Sequence, residues 1–294
     1  MVRSLGKSVV AAAVLSIGVL AAGTALAAEN GTAARDAKTR AEQGVAKAKE
    51  LHIPLQANPA TPVEAAWRDF VYADVWQRPG LDRRSRFIIA IVGAADAPGP
   101  QQILDGYVRG ALESHELTMV ELREIALHMT AYAGFSQASA LDQSITRVAH
   151  LLKLPEPPFR PLQSRPLTQA ERFEQGRQGF EKAIGFAGPG PSDAFLSGGI
   201  LNYVFAELWT RPELNRRSRR LVTLVAAGDT QAPNAVKTHV YSAMATGDLT
   251  RAEMEEFVLQ YAIFGGHTRG STMEELVAQS ADKIAKGEPL RLQQ

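Results

Sequence analysis

The stretch "WQRPGLDRRSR", from Trp76 to Arg86, returns almost unchanged as "WTRPELNRRSR", from Trp209 to Arg219. The echo runs outward at a nearly constant offset. Downstream, "VGAAD" (Val92 to Asp96) meets "VAAGD" (Val225 to Asp229), "ELTMVELREI" from Glu116 meets "DLTRAEMEEF" from Asp248, and "AYAGF" from Ala131 meets "IFGGH" from Ile263. Upstream, "AEQG" at Ala41 to Gly44 meets "FEQG" at Phe173 to Gly176. A match that stays in step over this length reads as a duplicated unit, placed at residues 35–152 and 166–285. Residues 153–165, "KLPEPPFRPLQSR", form the linker, because clustered prolines stop helices and stiffen a connection.

Each unit reads as helical. Apolar residues recur at spacings of three and four, and no alternating strand pattern persists. Asp82 and Asn215 stand as N-caps before helical runs. Thr118 to Glu121, Thr250 to Glu253 and Thr168 to Glu171 fit the capping box, in which a hydroxyl and a carboxylate satisfy each other's orphan backbone amides. The expectation is an all-α protein of two tandem helical bundles, five or six helices each, packed as a pseudo-twofold pair, with "PLQANPATP" and "FAGPGPSD" as matching loops.

The first 27 residues read differently. Arg3 and Lys7 precede the apolar run "VVAAAVLSIGVLAAG", and "ALA" at Ala25 to Ala27 supplies small residues, the pattern of a secretory signal peptide cleaved after Ala27. The run is short for a bilayer span, so the expectation is a periplasmic or secreted chain with no stable membrane anchor after cleavage. Lys plus Arg number 32 against 31 Asp plus Glu, a balance that gives no electrostatic footprint for nucleic acid. The absence of cysteine excludes disulfides, thiolate metal ligands and thiol nucleophiles. The six histidines are scattered, without a His-x-His or a second His near "HELTM", so no metal site is expected.

"RPGLDRRSR", "HVYSAMATGDLTRAEMEEF" and "YAGF" resemble the carboxymuconolactone decarboxylase family, relatives of alkyl hydroperoxidase D. The resemblance covers both units. It implies an all-helical fold that associates into rings, so that a tandem chain stands for a fused dimer and a trimer of such chains for a hexamer. The peroxidase branch needs a Cys-x-x-Cys pair, which this chain lacks. The decarboxylase branch implies cofactor-independent chemistry on a small cyclic carboxylate or lactone.

Carried over position by position, the family's first histidine falls on His239 in the second unit and on Tyr107 in the first. Its second falls on His128 in the first unit and on Gln260 in the second, so neither copy holds both. The glutamate of the family's helix falls on Arg220 and Phe87, and Arg109 keeps the arginine after the first histidine position. His239 is the leading acid/base candidate, with His128 and with His267, which follows Gly265 and Gly266. Arg86 and Arg219 are candidates for holding a carboxylate by paired hydrogen bonds, or else structural ion pairs. Arg109 and Gln260 join them as substrate-binding candidates, Tyr107 offers a phenolic donor to an oxyanion, and Trp209 a pocket wall or a core anchor. Two functions fit: decarboxylation or proton transfer on a small cyclic carboxylate, or small-molecule binding or assembly by a protein that keeps the fold without the chemistry.

Overall fold

A computed structural model describes residues 36–290 apart from 98, 164, 191 and 231; the expected leader lies outside the described residues. The first half contains α1 (Ala37–Glu50), α2 (Pro62–Ala66), a π-helical segment π1 (Trp67–Val75), α3 (Arg83–Asp96), α4 (Gln101–Glu113), α5 (Met119–Met129) and α6 (Phe135–Leu152). The second half contains α7 (Gln169–Ile184), π2 (Phe195–Leu208), α8 (Arg216–Thr230), α9 (Pro233–Ala245), α10 (Arg251–Gly265) and α11 (His267–Ala285). No strand occurs among the described residues, so the fold is all-α. The short α2 apart, the two halves present their elements in the same order.

The caps explain where the helices begin. Asp82 accepts from the Ser85 N–H and Asn215 from the Ser218 N–H, both at 2.8 Å, so α3 and α8 start at equivalent points of the repeated phrase. Capping boxes open α5, α7 and α10 at Thr118, Thr168 and Thr250. The wide winding of π1 and π2 differs from the ordinary helices expected. Each ends on the repeated tryptophan, whose N–H reaches a carbonyl five residues back: Trp76 to Val71 and Trp209 to Val204, both at 3.0 Å. Helices α1 and α7 lie directly on these segments. A Cβ at Gly44 would strike the Arg68 carbonyl, and one at Gly176 the Leu201 carbonyl, which is why "EQG" recurs.

The two units share a main core, and a smaller apolar cluster of Ala183, Ile184, Val204 and Phe205 lies between α7 and π2. The main cluster runs from Ala48 to Val277, with α3 and α8 packed side by side at its centre. Helix α10 of the second unit lies on α3, and α5 of the first lies on α8. The polar contacts are reciprocal. Arg78 and Arg86 both pair with Glu256, while Arg211 and Arg219 both pair with Glu124. Arg86 Nη2 donates to the Arg78 carbonyl at 3.0 Å and Arg219 Nη2 to the Arg211 carbonyl at 2.8 Å. Residue-for-residue reciprocity of this kind is what a twofold relation between packed units produces. Asp96 ends α3 and Asp229 lies in the last turn of α8; burial first, then the neighbouring Asp229 charge, pushes the Asp96 carboxyl up to about 7.

Candidate functional site

The imidazoles of His128 and His239 come from different units and meet around one tryptophan. Helix α5 carries His128 and, in the turn that follows it, Tyr132, four residues on and therefore on the same side. The end of π2 supplies Trp209, α8 supplies Arg219, Arg220 and Thr223, and α9 supplies His239. His128 packs edge-on to Trp209 at 5.1 Å between ring centroids. His239 stacks parallel to Trp209 at 6.0 Å and meets Tyr132 edge-on at 5.3 Å. The Trp209 indole N–H donates to the Tyr132 hydroxyl at 2.8 Å. His128 is 0% exposed and His239 4%, whereas Tyr132 and Trp209 are half-buried and form the side nearest solvent.

Arg220 determines the state of His239. Its Nη1 lies 2.7 Å from His239 Nδ1, and a guanidinium only donates. Nδ1 is therefore the acceptor, and the neutral ring carries its proton on Nε2. Arg220 is itself fixed by Nε to Asp248 at 3.0 Å and Nη2 to the Ala183 carbonyl, with its guanidinium carbon 4.9 Å from the Trp209 ring centre. Burial, then the Arg220 charge, holds the His239 pKa well below the ordinary histidine value. His128 is held down likewise, by burial and then by Arg219, His239 and Arg220. Its Nε2 lies 3.1 Å from the Thr223 hydroxyl and its Nδ1 3.5 Å from Arg219 Nη1. Burial pushes the Tyr132 phenol up to about 12, against hydrogen bonds from Trp209 and Thr223, so it keeps its proton and remains a donor.

Although neither copy holds both histidines, the fold brings them together, because α5 of the first unit packs on α8 of the second. The equivalent cross-pairing, α10 on α3, brings Gln260 and Phe264 of the second unit onto the first, where Phe264 meets Tyr107 beside Trp76. There Trp76 stacks on Tyr107 at 6.1 Å, Tyr107 meets Phe264 edge-on at 5.7 Å, and Trp76 meets Phe87 at 5.1 Å. Gln260 accepts from Arg86 Nη1 at 3.0 Å.

Three candidates stand elsewhere. His267 opens α11 on the exposed surface, its ring 6.1 Å from Phe70, away from both tryptophans. Arg109 pairs with Glu113 one turn along α4, a half-buried i,i+4 contact. Arg86 and Arg219 are buried, and their terminal nitrogens are directed to groups of the protein, so they bracket the two units rather than present a free fork to a carboxylate. The ion pairs they form run between the copies, not within each.

Tyr132, Thr223, Arg220 and Asp248 were not among the sequence candidates. Tyr132 had a signal, the fourth residue after His128 in "HMTAY". Arg220 marked only a missing glutamate; the carboxylate reappears at Asp248, on the other side of the guanidinium.

Residues 61–143 match the carboxymuconolactone decarboxylase family. The chain is 34% identical over 79 residues to nitrosuccinic acid decarboxylase npaB of Metarhizium robertsii, covering 26% of this chain and 54% of that protein. It is also 34% identical over 71 residues to 4-carboxymuconolactone decarboxylase of Acinetobacter baylyi, covering 24% of this chain and 52% of that one. The chain thus spans about half the length of these curated relatives. The matched stretch, from α2 into α6 of an all-helical fold, is thus similar to the carboxymuconolactone decarboxylase family.

Proposed function

We propose that the protein catalyses a decarboxylation, or a related proton transfer, on a small carboxylate or lactone at the face formed by Tyr132, Trp209 and His239. The observation that carries this reading is the neutral His239, its Nδ1 occupied by Arg220 and its Nε2–H left as a donor beside the Tyr132 phenol. Both named relatives are decarboxylases, and the family match over residues 61–143 spans the positions of His128 and Tyr132. In the proposed step the bond from carbon to the carboxylate breaks and carbon dioxide leaves. The electron pair passes to an adjacent oxygen, which accepts hydrogen bonds from Tyr132 and His239, and carbon is then protonated with a proton replaced from water. Preorganised donors of this kind contribute through charge that develops only in the transition state. The Tyr132 and Trp209 side must open for substrate to reach His239.

The enclosure of both imidazoles favours a second reading, a small-molecule binding or assembly protein without turnover. One experiment separates the two. Carbon dioxide release is measured with the purified chain and 4-carboxymuconolactone or nitrosuccinate, alongside His239→Ala and Tyr132→Phe. Turnover lost in both variants supports the enzyme. Turnover unchanged by either removes this face from the chemistry, and binding without release supports the second reading. Cleavage of the leader after Ala27, export to the periplasm and assembly as a trimer of tandem chains belong to the same proposal; among the described residues no helix is long and apolar enough to cross a membrane.

A further inference from the structure

A cavity of about 510 Å³ opens beside Tyr107, between the segment 53–56, the start of α2, π1 and α4. Its volume lies in the range of small-molecule sites. Ile53, Leu55, Trp67 and Ile103 make most of its wall apolar, Gln56 and Gln102 add neutral amides, and Glu64 is the only charged residue of its lining among the described residues. One Glu64 oxygen already accepts the Ala60 N–H at 2.6 Å. Tyr72 and Tyr107 also line the cavity, although they are 3% and 1% exposed, and the hydrogen bond between their hydroxyls is long, at 3.4 Å. Tyr72 donates along this weak bond and the Trp76 indole N–H also acts on the Tyr107 oxygen, so the Tyr107 O–H proton is the donor left over at the cavity. Burial pushes the Tyr72 phenol up to about 12 and holds the Tyr107 phenol well above its ordinary value, so both remain donors.

We propose that this cavity is a second small-molecule site, built for an uncharged ligand with a flat apolar body and one carbonyl or hydroxyl oxygen. Trp67 and the aliphatic side chains cover the body, and the Tyr107 hydroxyl donates to the oxygen. With no cation in the lining and a carboxylate at its edge, the site rejects anions. This inference is independent of turnover at the histidine face, since its test reads binding alone.

The test uses the full purified chain and two probes of one shape, 2-naphthol and 2-naphthoate, titrated by calorimetry. The expected result is one 2-naphthol per chain with a Kd of roughly 10–100 µM, the range of a small aromatic ligand. 2-Naphthoate is expected to bind about tenfold more weakly or worse, a factor worth about 1.4 kcal/mol. Tyr107→Phe weakens 2-naphthol about five- to tenfold, the loss of one hydrogen bond. Gly106 lines the cavity and a Cβ there meets Pro54 at an ordinary 3.5 Å, so Gly106→Leu extends into the space and abolishes binding. Ile103→Trp, filling the same space from the neighbouring turn, does likewise if the glycine variant melts early. Absence of 2-naphthol binding up to about 1 mM, equal binding of the two probes, or binding that survives both cavity-filling variants would overturn the proposal.

Discussion

Around Trp209 the two units assemble His128, His239, Tyr132 and Arg220; at the equivalent places around Trp76 they assemble Gln260, Tyr107, Phe264 and Phe87. The ring geometry is nearly the same. The parallel stack of Trp209 on His239 corresponds to that of Trp76 on Tyr107, and the edge-on contact of His239 with Tyr132 to that of Tyr107 with Phe264. Arg220 beneath Trp209 corresponds to Phe87 against Trp76. One arrangement of rings thus carries two sets of side chains. On one side the positions hold two imidazoles, a phenol and a guanidinium, with a buried ion pair to fix them. On the other they hold a phenol, an amide and apolar rings beside an open cavity. The lesson is that backbone and packing outlast the polar atoms they position.

The comparison is broken most severely at Arg220. Arg220→Phe, which copies Phe87, leaves the buried Asp248 carboxylate with Arg216 as its remaining cation, and is expected to cost about 3 kcal/mol in urea unfolding. Asp248→Asn added to it recovers part of the loss, because the two residues act as one unit. An Arg220→Phe variant as stable as the wild type would show that the polar side needs no ion pair. Next in size is the chemistry. Tyr132→Phe is expected to lower kcat about 10²- to 10³-fold, as loss of one preorganised donor does, while Tyr107→Phe on the opposite side leaves kcat unchanged. Equal losses in steady-state kinetics would place the site wrongly.

Acid sharpens the contrast further. His128 and His239 stay neutral in the fold but take protons in the unfolded chain below pH of about 6.5, so their contribution is present above that pH and lost as pH falls. The slope is up to about 1.4 kcal/mol per pH unit for each, and in urea unfolding at pH 5 and pH 7 it should shrink when His128→Gln and His239→Tyr import the other side's residues. Asp96 works in the opposite sense. With its carboxyl raised to about 7, its contribution is full below the unfolded value of 3.8 and is lost as pH rises through about 7, so Asp96→Asn should steepen the acid loss. The smallest effects are expected to be equal on both sides. Asp82→Ala and Asn215→Ala remove matching caps and should each cost about 1 kcal/mol in thermal or urea unfolding. A large difference would mean that the scaffold has diverged as well.

Much of the scaffold was legible before any coordinates. Thr118, Thr168, Thr250, Asp82 and Asn215 announce helix starts by local chemistry alone, and each stands at a helix start in the structure. The π winding into Trp76 and Trp209 was not, because an extra residue per turn leaves no distinct apolar period. His128 and His239 were visible singly, yet each was assigned to an incomplete copy. Their meeting depends on α5 packing against the other unit's α8, and no repeat within a sequence says which unit a helix will cross to. Arg86 and Arg219 were ambiguous for a related reason: an arginine that binds ligand and one that bridges units present the same letters.

The crossing of helices between units has a genetic consequence. Where two identical subunits build two identical sites, every substitution is made twice, so a change that suits one site is imposed on the other. Here the first unit's His128 and the second unit's His239 belong to one gene, and so do Gln260 and Tyr107. A codon change at position 107 leaves position 239 untouched. Carrying both units on one chain thus lets the surroundings of Trp209 keep their histidines while those of Trp76 change independently.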